Sequence, residues 1–355
     1  MTDNIITLEN LTKDYGEGRG IFDINLEIKQ GECCGYVGTN GSGKTTTIRS
    51  IMGFLQPDDG RAYVKGMDAW QNAVEIKKHV SYVPGEIAFP SFKTGLDFLK
   101  TQAEYLGIKD LSYIHQLIDM FKLDPTADLS RMSKGMKQKT ALVAAFMGNH
   151  EILILDEPTS YLDIRHKLEL LNTLKKLVRE KNIAVLMSLH ELDLAERVSD
   201  KIVCIDGGKV GRVGTQEEIF SGGYISKLYG ISGESFCESS GCAELERPYG
   251  KPDVFVISGG GNASGVFRRL QRQGVPFVTG IIPENDIDYP VAKALAVKVL
   301  SCPAFSRATE SALQRGKALV SECGHVICCP GSCGELNPEN SVLLKYAQEL
   351  GKIER

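Results

Sequence analysis

Apolar and polar positions alternate over residues 5–8 and again over 21–28, with a glycine-rich turn at 16–20 between them. Alternation of this kind predicts two strands that each turn one face to a core. Residues 33–37 are apolar without interruption and predict a short buried strand, and 44–52 predict a helix. The turn Pro57-Asp58-Asp59-Gly60 leads into a predicted strand at 61–65. A helix near 69–79 and a strand at 80–83, closed by Pro84-Gly85, follow. From Phe89 to Gly148 the apolar spacing becomes helical and stays so, which predicts an all-helical insert. Thr94 caps one of its helices and Ser133 opens another that runs to Phe146. Buried strands at 151–155 and 183–187 then flank a long amphipathic helix, 162–179.

The pattern changes beyond about Ser226. Residues 230–252 are rich in Gly, Ser and Glu, carry Cys237 and Cys242, and read as a linker. From Asp253 onward, strands at 254–257, 277–280, 297–300 and 325–328 alternate with helices ending at Gln273 and around 290–296, 306–323 and 341–351. Such alternation predicts a parallel, doubly wound sheet. At 355 residues the chain exceeds the size at which one core usually stops growing, so two domains are expected.

Composition narrows the function classes. Charged residues make up 24% and hydrophobic ones 42%, as in ordinary water-soluble globular proteins. A net charge of −4 argues against a general binder of nucleic acid or anionic membrane. No apolar run approaches the ~20 residues that span a bilayer, so any membrane span must come from another chain. No secretory signal is visible, and ten cysteines then point to reduced thiols in a cytosol.

The candidate chemistry starts at Gly38-Thr39-Asn40-Gly41-Ser42-Gly43-Lys44-Thr45, a complete G-x-x-x-x-G-K-[ST] followed by Thr46. Glycines at 38, 41 and 43 let backbone N–H groups wrap a triphosphate, Lys44 reaches its outer phosphates, and Thr45 is the natural Mg²⁺ ligand. A second acidic pair, Asp156-Glu157, follows a buried strand. Asp156 can hold Mg²⁺ there, and Glu157 can orient or deprotonate the attacking water. His190 follows the next strand and should emerge at the same sheet edge, within reach of a γ-phosphate. Tyr15 either stacks on a nucleobase or packs beside its strand.

These residues resemble the ATP-binding cassette ATPases over about 3–225. The resemblance implies a P-loop NTPase cassette over 1–229, with a RecA-like core, an antiparallel β part and a helical insert about 89–148. Gly38–Thr45 matches the Walker A motif, 152–157 the Walker B motif with its catalytic glutamate, and Ser160-Tyr161-Leu162-Asp163 the D-loop. His190 matches the switch histidine and Tyr15 the adenine-stacking aromatic. Met132-Ser133-Lys134-Gly135-Met136 corresponds to the signature, with Lys134 and Met136 replacing its usual Gly and Gln. Pro84-Gly85-Glu86 stands where the Q-loop glutamine is usual and looks like the variant of ABC-2 exporter cassettes, which makes Glu86 a candidate Mg²⁺ ligand. The resemblance implies an ATPase that binds ATP and Mg²⁺ and closes as a homodimer, with Ser133, Gly135 and Asp163 serving the partner's nucleotide. It further implies a separate transmembrane permease and a peripheral position on the cytoplasmic face of the membrane. The alternative is a soluble cassette ATPase, regulated by a ligand-sensing tail and not tied to transport.

The tail, 253–355, is expected to form a smaller Rossmann-like domain and looks similar to the extension of some cobalamin- or haem-type importer ATPases. Its loop Ser258-Gly259-Gly260-Gly261-Asn262-Ala263-Ser264-Gly265 is either a tight turn or a site for a small anionic ligand or nucleotide between Gly259 and Gly265. Cys302, Cys323, Cys328, Cys329 and Cys333 crowd the same region and are read either as small buried residues or as a soft-metal site.

Overall fold

A computed structural model of the chain describes residues 4–231, 236, 237 and 242–354, with only the backbone at 236, 237 and 242. The chain divides into two compact units, 1–229 and 230–355.

In the first unit, strands β1 (Asn4–Asp14), β2 (Gly20–Lys29), β4 (Asp59–Val64) and β5 (Met67–Asp68) form an antiparallel sheet in the order β2-β1-β4-β5. β1 runs past the expected stop at residue 8. Its polar Glu9-Asn10 step is absorbed by an irregularity in register between Leu8 and Leu11, where Asn10 adopts a positive φ of 48°. The central sheet takes the order β10-β9-β3-β8-β7-β6, from β3 (Cys33–Gly38), β6 (Val80–Val83), β7 (Ile152–Asp156), β8 (Ala184–Leu189), β9 (Lys201–Asp206) and β10 (Lys209–Gly214). Only β10 runs antiparallel. β3, β7 and β8 are buried at every position, as parallel strands covered on both faces must be.

Helix α1 (Lys44–Ile51) starts at the end of β3. Ile48 and Ile51 on it join one apolar cluster with Ile6, Leu8 and Ile24 of the antiparallel sheet and Tyr36 and Ile154 of the central sheet. The helix expected near 69–79 shrinks to one turn, α2 (Ala73–Ile76). The Asp68 carboxylate takes up the backbone N–H groups of Trp70 and Gln71 and holds that stretch in a turn instead. The helical stretch supplies α3 (Gly95–Tyr105), capped by a reciprocal Thr94–Asp97 box, then α4 (Ser112–Met120) and α5 (Lys134–Met147). Beyond β7 lie α6 (Ile164–Lys181), α7 (Leu192–Val198), α8 (Gln216–Ile219) and α9 (Tyr224–Leu228). No helix among the described residues is long and apolar enough to cross a membrane.

The second unit opens with two-residue strands β11 (Phe236–Cys237) and β12 (Cys242–Ala243). The stretch read as a linker is tied to this unit in its described part: Glu244 pairs with Arg268 at 2.5 Å, and Arg247 donates to the Ala296 carbonyl. Strands β13 (Val254–Ile257), β14 (Phe277–Pro283), β15 (Lys298–Cys302) and β16 (His325–Cys328) form a wholly parallel sheet in the order β15-β14-β13-β16. Side chains of β13 alternate between the two faces. Val254 and Val256 pack with α10 (Ser264–Arg272) and α11 (Tyr289–Leu295), where Phe267 stacks on Phe277 with ring centroids 5.3 Å apart. Phe255 and Ile257 pack with α12 (Glu310–Glu322) and α13 (Pro338–Glu349).

Candidate active site

The phosphate-loop candidate leaves β3 at Gly38 and enters α1 at Lys44. Gly43 sits at the helix cap with φ 105°, and a Cβ there would lie 2.4 Å from Ile21 Cγ2, so both conformation and space demand glycine. α1 has no side-chain cap and no acidic residue in its first turn. Its leading N–H groups and the positive end of its dipole are therefore available to an anion. Lys44 is only 6% exposed and folds back over the loop, its Nζ donating to the carbonyls of Gly38 at 2.8 Å and Thr39 at 3.0 Å. Burial pulls the Lys44 ammonium below the usual lysine range, while Glu157 and Asp156 push the other way.

Thr45, the first-turn neighbour of Lys44, donates its hydroxyl to Asp156 Oδ2 at 2.9 Å. Asp156 ends β7, where it faces Ser188 of β8 in register. The Ser188 hydroxyl donates to Asp156 Oδ1 at 2.6 Å and accepts from the Glu157 backbone N–H at 2.9 Å. One hydroxyl on the neighbouring strand thus fixes both acidic residues. Glu157 adopts a positive φ of 51°, and its Oε1 lies 2.5 Å from His190 Nε2, immediately beyond β8. Glu157 and His190 line a cleft of about 270 Å³ with Tyr15, Arg19, Asn40, Gly41, Gly43, Lys44, Thr45 and Thr46. Tyr15 lines this cleft and is half-exposed, and a base-stacking ring requires such access. Ser42 is instead buried, with its hydroxyl unpartnered among the described residues.

Ser188 and Arg19 escaped the sequence reading. Ser188 lies inside an apolar strand and declares itself only through the register of β7 and β8; Arg19 has a local signal, a basic side chain four residues past Tyr15 on the same turn.

Four predicted residues stand apart from this cleft. Ser133 caps α5 through the Met136 N–H at 3.3 Å, and Gly135 approaches the Tyr161 carbonyl, which an added Cβ would meet at 2.8 Å. Asp163 caps α6, accepting from the His166 N–H at 3.0 Å and ring at 2.7 Å. Those bonds, the backbone one foremost, hold its carboxyl below the usual range. Glu86, expected among the metal ligands, lines a different cleft with Lys134, Lys137, Gln138 and Tyr161. On the same loop Gly85 adjoins the metal candidates: a Cβ there would lie 3.6 Å from the Asp156 carbonyl and 3.8 Å from its carboxylate.

In the second unit the geometry bears on two places where the sequence left alternatives open. In the glycine loop, Gly260 N–H donates to Asp286 at 2.6 Å, and Ala263 and Ser264 N–H donate to the buried Asp288 at 2.8 and 3.0 Å. Two internal carboxylates occupy the position an anionic ligand or nucleotide would take at Gly259–Gly265, so the anion reading fails there. The cysteines do not converge either. Cys302 and Cys323 pack on one face of the sheet and Cys329 on the other, and only Cys328 and Cys333 approach each other, at 3.9 Å between sulfurs. No group of three or more potential metal-ligating residues exists among the described residues.

Comparison with known proteins agrees with this geometry. The ABC transporter family model matches residues 21–160, and the MJ0874 family model matches 277–353. The chain is 32% identical over 287 residues to the ABC transporter ATP-binding protein MJ0873 of Methanocaldococcus jannaschii, covering 78% of this chain and 99% of that one. It is also 32% identical over 208 residues to the bacitracin transport ATP-binding protein BcrA of Bacillus licheniformis, covering 58% of this chain and 68% of the relative. A solved ATP-binding subunit of an ABC transporter superposes with a TM-score of 0.56 at 27% identity, over 64% of this chain and 94% of that one. With the phosphate loop, the acidic pair and the helical insert arranged as described, the chain belongs to the ATP-binding subunits of ABC transporters, the ATPases that drive them.

Proposed function

We propose that this chain hydrolyses Mg²⁺-ATP as one half of a homodimer that powers a separate transmembrane permease from the cytoplasmic face of the membrane. The observation that carries the reading is the network running from Thr45 through Asp156 and Ser188 to Glu157 and His190. In it Lys44, Asn40, Gly41, Ser42, Gly43 and Thr46 bind the phosphates, and Tyr15 stacks on the adenine. The Thr45 hydroxyl and the Asp156 carboxylate are hard oxygen donors, the donor type that Mg²⁺ takes. Bound there, the ion neutralises charge that develops on the transferred phosphoryl group.

Glu157 then accepts the proton of the attacking water, and His190, bonded to the same carboxylate, keeps it aimed at the phosphate edge. In this bond Nε2–H of His190 is the donor and the Glu157 carboxylate the acceptor. Ser133, Gly135 and Asp163 lie outside the cleft that holds Lys44, and this separation supports their serving the nucleotide of a second copy. The transport names of the relatives favour a permease partner over a free-standing regulated ATPase.

The test is steady-state hydrolysis with equilibrium nucleotide binding. Glu157→Gln is expected to keep ATP and lower kcat by about 10²–10⁴-fold, whereas Lys44→Ala loses nucleotide binding. Near-normal turnover in either purified variant defeats the assignment.

A further inference from the structure

The second unit holds a cleft that the nucleotide chemistry does not use. It is about 440 Å³, a size that accepts a small organic molecule, and it opens between the carboxyl ends of β13, β14 and β16. In the order β15-β14-β13-β16 the chain winds outward on one side of β13 and then crosses to its other edge. Parallel sheets bind ligands at that reversal, beyond the strands' carboxyl ends.

Three features make the cleft a built one. Gly259, Gly260 and Gly261 all have positive φ, so the β13 loop passes without side chains to fill the space. Beneath it Asn340, fully buried, donates to the carbonyls of Ser258 at 2.9 Å, Ser332 at 2.8 Å and Ile281 at 3.2 Å, and accepts from the Ile281 N–H at 2.9 Å. One side chain thereby ties together the three segments that shape the cleft. The polar side chains of the lining are Asn285, Asp286, Glu335 and Asn337, and no Lys, Arg or His is among them. Neither Asp286 nor Glu335 forms an ion pair among the described residues; Asp286 is held in place by the N–H groups of Gly260 and Asp288.

We infer that this cleft binds a small organic cation, an amine or guanidine, whose charged head lies between Asp286 and Glu335 with the carboxamides of Asn285 and Asn337 beside it. Two carboxylates without a basic side chain in the lining repel an anion. No group of three His, Cys, Asp or Glu side chains that could hold a metal ion exists among the described residues. A guanidinium or ammonium needs only such acceptors, and the exposed Leu336 offers an apolar edge to the carbon chain that carries it.

Agmatine is the probe, titrated calorimetrically into the full chain, with amide hydrogen exchange locating the contact. Saturable binding is expected, with protection at 258–263 and 331–337. Glu335→Gln should weaken it about tenfold or more, because a charge-assisted bond becomes a neutral one. Glu335 is exposed and forms no side-chain hydrogen bond or ion pair among the described residues, so this variant is expected to fold; Asp286→Asn should weaken binding as well. No saturation up to about 10 mM, protection elsewhere in the chain, or an affinity that both variants leave unchanged would overturn the inference.

Discussion

The hydroxyl of Thr45 and the carboxylate of Asp156 meet at 2.9 Å although 111 positions separate them in the chain. Asp156 reaches that point because its other oxygen is held by Ser188, one strand away. Ser188→Ala would leave Asp156 Oδ1 and the Glu157 N–H without their partner in a buried site. The expected cost is about 1–3 kcal/mol in stability, with a fall in kcat that exceeds the change in KM, because the proposed metal-holding and water-activating carboxylates both lose position. Urea unfolding followed by the single tryptophan, Trp70 in the same unit, reads the first, and steady-state ATPase kinetics read the second. Unchanged kcat would mean that Ser188 only packs.

Tyr15 lies on the turn between β1 and β2, half-exposed, and lines the candidate nucleotide cleft. Its ring is expected to contribute by stacking on the adenine, an interaction worth about 1–3 kcal/mol per base. Tyr15→Ala should therefore weaken ATP binding by about tenfold or more, while Tyr15→Phe keeps most of the affinity. A fluorescent ATP analogue titrated against the three proteins distinguishes them, and equal affinities for Ala and Phe variants would remove the stacking role.

His150 precedes β7, its ring against Gly148 and its Nδ1 buried without a hydrogen-bond partner among the described residues. Burial, reinforced by the nearby His79, holds its imidazole below the usual histidine value. The unfolded chain then takes up this proton at higher pH than the folded one, so stability is full above about pH 6.5 and falls as the pH drops from there through the folded value. His150→Gln should flatten this part of the profile. Trp70 unfolding midpoints at about pH 7.5 and about pH 5.5 provide the comparison, and an identical drop in both proteins would place its origin elsewhere.

What the sequence made legible follows the range of the interactions involved. The phosphate loop is contiguous, and its glycines are required by local backbone geometry, so Gly38 to Thr45 could be placed from spacing alone. The strands that lead to Asp156 and His190 are predominantly apolar and equally local. Ser188 was invisible because its role depends on which strand neighbours β7, a choice made by the sheet as a whole. The anion reading of the glycine loop failed for the same reason: Asp286 and Asp288 come from the end of the next strand and take up N–H groups that the loop's own sequence leaves free. The helix expected near 69–79 shows the opposite case, where one local side chain, Asp68, outweighs helix propensity over two turns.

Asn340 is the clearest case of a residue whose pattern conceals its work. It stands in the first turn of α13, buried on the face that also carries Leu343 and Ala347, and its two N–H groups serve three carbonyls while its oxygen takes the Ile281 N–H. Asn340→Ala leaves these groups buried and unpaired and should destabilise the second unit by about 3–4 kcal/mol. Asn340→Asp is the sharper variant. A carboxylate still accepts from Ile281, yet it cannot donate and would face the oxygens of Ser258, Ile281 and Ser332 directly, so its loss should equal or exceed that of alanine. Amide exchange of β13, β14 and β16 provides the readout, since Trp70 lies in the other unit and reports on that one. If the Asp variant exchanges as slowly as the parent chain, the three donor bonds do not hold the sheet ends together, and the packing of Leu343 and Ala347 against Phe255 and Ile257 suffices.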